Sequence, residues 1–94
     1  MTIKFHYHNA VRDVPRLGIR RGDRCCHVYS DESLQELISW TERVGIRPEW
    51  LDRRHVLPHF DAHGEWLRVC GPGVNRRELT ADIRAWRSRA EDPA

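Results

Sequence analysis

The chain has 94 residues, 39% of them hydrophobic and 32% charged, with a formal net charge of +2. A chain of this length buries only somewhat over ~60% of the surface its unfolded form exposes, which leaves material for one core and excludes two domains. No apolar run approaches the roughly 18 residues of a membrane span, and so small a net charge does not by itself imply a nucleic-acid partner.

Residues 1–10, MTIKFHYHNA, lack the long apolar core of a signal peptide, so a cytoplasmic protein is expected. Ile3, Phe5 and Tyr7 alternate with Lys4, His6 and His8, the period-two pattern of a half-buried strand over residues 2–8 that turns His6 and His8 to one face. Residues 10–23 carry a proline, two glycines and many charges, which predicts a long irregular loop, and loops of about 12–15 residues in so small a domain are commonly functional. RCCHVYS then reads as a second strand with Cys26 and Val28 on one face and Cys25, His27 and Tyr29 on the other.

Ser30 or Asp31 is expected to cap a helix in which Leu34, Leu37, Ile38, Thr41 and Val44 fall at helical spacing. Gly45 supplies its left-handed cap and Ile46 the hydrophobic contact beyond it. RPEWL predicts a short turn begun by Pro48, with Trp50 and Leu51 packing back on the domain. Residues 55–60 alternate as an extended edge segment restricted by Pro58, after which DAHG turns the chain towards EWLRVC as a hairpin partner. After GPG, Asn75 and Glu78 form a capping box for a last helix with Leu79, Ile83 and Trp86 on one stripe. The expected domain covers 1–90, with residues 91–94 as a frayed tail.

Three cysteines, Cys25, Cys26 and Cys70, are an odd number in a chain read as cytoplasmic, which predicts reduced thiols rather than a disulfide framework. Lys4 is the only lysine among 16 basic residues, and arginines pair at Arg20-Arg21, Arg53-Arg54 and Arg76-Arg77. Arginine's planar fork suits phosphate and carboxylate.

Six histidines gather mostly on predicted strands and loops. His6, His8, His27, His55, His59 and Asp61 form the candidate donor set. Imidazole nitrogens with a carboxylate suit a divalent transition metal such as zinc, iron, nickel or copper. No C-x-x-C or H-E-x-x-H pair fixes such a site, and neither a phosphate-binding loop nor a G-x-S-x-G elbow is present. A histidine such as His27 beside an apolar strand is more often a neutral group bonded to backbone, and Cys26 and Cys70 most often behave as small buried apolar side chains.

Across residues 26–61, Cys26-His27, Ser30-Asp31, Glu36-Leu37, Gly45, Trp50 and His59-Phe60-Asp61 resemble in order and spacing a family of small bacterial and phage domains of uncharacterised function. In that family pattern the first strand ends in an acidic pair followed by alanine, whereas this chain has His8-Asn9-Ala10. After Asp61 the family continues with Ser, Lys-Arg and an alanine-rich helix, whereas this chain reads AHGEWLRVCGPG, which leaves residues 62–70 open between helix and strand. The resemblance singles out His27, His59 and Asp61 and implies that His55 and His63 are incidental.

The expected fold is α/β, with α+β as the alternative, built on three or four strands with two main helices on one face. The expected function is a small enzyme acting on an anionic small molecule. Its pocket is formed by His8, Asn9, His27, His59 and Asp61, with His27, His59 and Asp61 catalytic and within roughly 3 to 6 Å of one another. His8, Asn9, Arg20, Arg21 and Arg24 would hold the substrate, and in a metal-dependent version His8, His27 and His59 would be the ligands. The rival expectation is a nonenzymatic module that binds nucleic acid or a protein through its arginine pairs.

Overall fold

A computed structural model describes residues 2–53 and 57–91. Strands β1 (Ile3–Asn9), β2 (Arg24–Ser30) and β3 (Phe60–His63) form one antiparallel sheet in the order β1-β2-β3. Helix α1 (Leu34–Val44) lies between β2 and β3, and helix α2 (Arg76–Glu91) follows them. Every strand pairing is antiparallel, as in an α+β domain, and no fourth strand occurs among the described residues. None of the described helices is long and apolar enough to cross a membrane.

The third strand sits further along the chain than its alternation predicts. Val28 pairs with Phe60 and Cys25 with His63, so Asp61, Ala62 and His63 continue the strand instead of turning it. Phe60 and Ala62 are buried by this register, which the shorter extended reading would have left at a chain reversal. The expected start of that segment, His55 and Val56, lies outside the described residues. Gly64, with φ of 57°, ends β3, and Gly64–Val69 form a 3-10 helix in place of the expected hairpin partner. Trp66, Leu67, Val69 and Cys70 pack on the core at three-residue spacing, which a three-per-turn helix satisfies and a strand does not.

The β1–β2 connection is long but ordered. Pro15–Leu17 form one 3-10 turn, Val14 bridges Ile19, and the neck is closed by bonds from Ala10 N to Asp23 O and from Gly22 N to Ala10 O, each 2.8 Å. Helix α1 is capped by Ser33, whose hydroxyl accepts from the Glu36 N–H at 3.1 Å, and not by Ser30 or Asp31. Ser30 supports the turn before it, accepting from the N–H groups of Glu32 and Ser33 and donating to Glu36 Oε1. Gly45 closes the helix at φ 86° and Ile46 is buried behind it, as the sequence predicts. At α2, Asn75 Oδ1 accepts from the Glu78 N–H at 2.8 Å.

Strand alternation divides the sheet into two unlike faces. Phe5, Tyr7, Cys26, Val28, Phe60 and Ala62 face α1, whose Leu37 and Trp40 join Ile46 and Leu51 in one apolar cluster. Phe5 meets Trp40 edge-on at 6.1 Å. The segment before α2 runs along β1, with Val74 N donating to Phe5 O, and Gly73 passes so close that a Cβ there would stand 2.9 Å from the Tyr7 ring. The other face carries Lys4, His6, His8, Cys25, His27, Tyr29, Asp61 and His63. At one end of that face α2 docks, its Asp82 accepting from Lys4 Nζ and the Tyr29 hydroxyl at 2.9 and 2.7 Å. The two helices therefore reach opposite faces of the sheet, not one face as expected. A charged anchor holds α2 because its exposed, arginine-rich sequence offers few apolar residues.

Candidate active site

The remainder of that polar face is where the histidines collect. His6 sits opposite His27 on β2, and His27 sits opposite Asp61 on β3, so three strands bring one residue each to the same level. His8 lies one step along β1, its ring stacked on that of His27 with centroids 4.0 Å apart. His27 Nε2 stands 3.2 Å from Asp61 Oδ1, and His59 Nε2 stands 3.5 Å from Asp61 Oδ2. The rings of His27 and His59 are edge-on at 5.1 Å. His59 is set just before β3 by the backbone bridge between it and Asp52, and its Nδ1 lies 3.0 Å from the Leu57 carbonyl.

Burial and charge sort these groups into different protonation states. Burial, reinforced by the neighbouring His8, pushes His27 down to about 4 against the pull of Asp61. His6 is lowered as well, by burial first and then by His8 and Arg76. Burial is the largest single influence on His59 and would lower it, but the bond to Asp61, the charges of Asp61 and Asp52 and the Leu57 carbonyl together outweigh this and hold its pKa above the ordinary value. For Asp61, burial is outweighed by the same bond and by the surrounding imidazoles, and its pKa is lowered. With Nδ1 turned to a carbonyl and Nε2 to a carboxylate, both His59 nitrogens face acceptors, which is the arrangement of an imidazolium. His27 is instead held as a neutral ring, with one N–H and one lone pair.

One consequence is measurable. Because its folded-state pKa lies below its unfolded value, His27 takes up a proton more readily in the unfolded chain, so its contribution is present above about pH 6.5 and lost as pH falls towards 4. His59 acts in the opposite sense, its contribution fading as pH rises through its raised value. An NMR titration is expected to show the His27 ring still neutral at pH 5.5 and the His59 ring charged at pH 6.5. A His27 ring that titrates at the ordinary 6.5 would mean that it is hydrated and not part of a closed cluster.

One donor atom each from His8, His27 and Asp61 lie within 4.8 Å of one another. His8 Nε2 is buried and has no hydrogen-bond partner, as is His6 Nδ1. A cavity of about 320 Å³ opens on this cluster, lined by His8, His27, His59 and Asp61 together with Arg12 and Arg16 of the long loop. Cys25 and Asp52 line it as well. Asp52 carries no signal in the sequence; it arrives through its backbone bridge to His59.

The other expected binding residues are distributed differently. Asn9 borders the cavity from the strand end, but its place in the alternation turns it away from the imidazoles. Arg20 and Arg21 sit exposed at the turn of the loop, their N–H groups bonded to Asp23 and Asp13, and neither lines the cavity. Arg24 lies over the Tyr7 ring at 5.1 Å, on the opposite face of the sheet. With its neck pinned at Ala10 and Asp23, the loop places Arg12 and Arg16, and not Arg20 or Arg21, in the cavity wall. His63, expected in an exposed turn, is half-buried on β3 beside a larger cleft, and His55 lies outside the described residues. Cys25, Cys26 and Cys70 are free thiols.

Comparison with curated proteins and with solved structures returns no match. The family model described as "Protein of unknown function (DUF4031)" matches residues 12–85, most of the chain and all of α1, β2 and β3, and the protein belongs to that family.

Proposed function

We propose that this protein is a small metal-dependent enzyme acting on an anionic small molecule, with a divalent transition metal held by His8, His27 and Asp61. The observation that carries this reading is the buried, unpartnered Nε2 of His8 beside the His27–Asp61 pair. A buried polar atom without a partner costs about 1–3 kcal/mol, and a metal ion is a partner that also answers the adjacent neutral nitrogen and carboxylate. Bonds of about 2.0–2.2 Å place tetrahedral donors roughly 3.4 Å apart. His27 Nε2 and Asp61 Oδ1 already stand at 3.2 Å, and a His8 nitrogen lies within 4.8 Å of the same group of donors.

Two imidazoles and one carboxylate leave coordination positions open to water and substrate, the composition of a catalytic centre and not of a closed structural one. A bound ion there would lower the pKa of its water or polarise a substrate oxygen. His59, with its Nε2 3.5 Å from Asp61 Oδ2, would orient the carboxylate on the metal. Arg12 and Arg16, at the mouth, favour a substrate that carries phosphate or carboxylate.

Protein purified without a histidine tag, stripped with chelator and titrated with Co²⁺ is expected to bind one equivalent per chain and develop visible d–d absorption of low coordination number. Elemental analysis of the protein as purified is expected to find a substoichiometric to stoichiometric transition metal. Absence of both, with the fold intact by circular dichroism, would remove the metal and leave His59 and Asp61 as a metal-free acid–base pair.

A further inference from the structure

Beside the histidine cavity lies a larger cleft of about 1100 Å³, and the two share Arg16, Leu17, Asp52 and Asp61 along a common border. The exposed large apolar residues of the described chain are Val11, Leu17 and Trp50, and all three line this joined space. Trp50 is 47% exposed although the sequence predicts that it packs inward. Its ring is met edge-on by Trp66, with centroids 6.1 Å apart and planes 72° apart, so it is held in orientation while much of its surface remains open. A tryptophan fixed by a neighbour and left uncovered in a cleft is a stacking platform for a flat ring.

The charges of the cleft select what that ring is attached to. Arg16 and Arg53 contribute +2, and Glu49, Asp52 and Asp61 contribute −3, giving −1 for the lining alone. A divalent ion at Asp61 changes that sum to +1 and places the positive charge at the border with the histidine cavity. Arg16 stands at the same border. An anionic group is therefore favoured beside the metal and Arg16, while an aromatic ring is favoured on Trp50. We infer that the substrate is a nucleotide, its base stacked on Trp50 and its phosphate directed to Arg16 and the metal. This rests on the metal-dependent reading above for the phosphate half and on the Trp50 cleft for the base half. The same chemistry is offered by a free mononucleotide and by the end of a nucleic-acid strand.

The test is calorimetric titration of the full chain, Co²⁺-loaded and chelator-treated, with adenosine 5′-monophosphate, adenosine, ribose 5-phosphate and a short single-stranded oligonucleotide. The monophosphate is expected to bind the loaded protein at least tenfold more tightly than either adenosine or ribose 5-phosphate. Trp50→Ala is expected to weaken it about tenfold with Co²⁺ affinity unchanged, and Arg16→Ala to weaken it about tenfold while changing adenosine binding less than twofold. A strand that binds more tightly than the mononucleotide, with the same dependence on Trp50 and Arg16, assigns the source as a nucleic-acid end. Loss of Co²⁺ binding with Trp50-dependent nucleotide binding retained would overturn the metal centre and keep the nucleotide site. Stoichiometric Co²⁺ binding with no nucleotide binding at millimolar concentration, or binding indifferent to Trp50→Ala and Arg16→Ala, would overturn the nucleotide site alone.

Discussion

Leu37→Ala is expected to lower the unfolding free energy by about 3–5 kcal/mol, in the upper part of the range for deleting a buried leucine. Leu37 is 1% exposed at the centre of the cluster formed by Cys26, Val28, Trp40, Ile46, Leu51, Phe60 and Ala62. It is the most deeply buried apolar residue that α1 gives to the apolar face of the sheet, so the cavity it leaves lies inside that cluster and has little freedom to collapse. A domain of this size has roughly 5–15 kcal/mol in total, and the variant is expected to approach half-unfolding in low urea. His59→Ala is expected to cost far less, about 1 kcal/mol, because the ring makes hydrogen bonds at a cavity wall and fills no core volume. Urea melts read by far-ultraviolet circular dichroism separate the two. Equal losses would make His59 a packing residue and remove it from the site.

What was legible in the sequence follows the range of the forces involved. Helix α1 could be read because its cap, its apolar stripe and Gly45 lie within one short stretch and agree with one another, and only the capping residue shifts, from Ser30 or Asp31 to Ser33. The gathering of His8, His27, His59 and Asp61 was legible from alternation together with the family resemblance. The strand β3 was not: FDAH alternates for only four residues, and what makes it a strand is the row of unpaired groups on β2 that it satisfies. The segment Gly64–Val69 has apolar residues that suit either period, and packing under the sheet decides for the 3-10 helix. The position of α2 on the opposite face depends on the Lys4–Asp82–Tyr29 contact across almost the whole chain, for which no local pattern exists. For the same reason the arginines at the site are Arg12 and Arg16 rather than Arg20 and Arg21. The loop's composition announces a cationic segment, and the path the folded loop takes, pinned at its neck, decides which side chains reach the cavity.

Single replacement of His8, His27 or Asp61 by alanine is expected to weaken Co²⁺ binding by more than about 100-fold, which corresponds to more than roughly 2.7 kcal/mol. Each removes a donor from a set of three, so the ion is left with two protein ligands and water. His59→Ala is expected to fall between about 10-fold and 100-fold, the range for a group that orients a ligand without touching the metal. His63→Ala, on the same face but outside the donor set, is expected to change affinity less than twofold. The order of these losses decides between two geometries. The sequence points to His8, His27 and His59 as ligands, whereas the structure brings Asp61 into the donor set and turns both His59 nitrogens to acceptors of their own. A metal that bound in spite of this would have to break the His59 contacts with Leu57 and Asp61. If His59→Ala were as damaging as His8→Ala while Asp61→Ala were mild, the ion would lie among the three imidazoles and Asp61 would be the orienting group. If His63→Ala matched them all, the cobalt would be held by scattered surface imidazoles and no centre would exist.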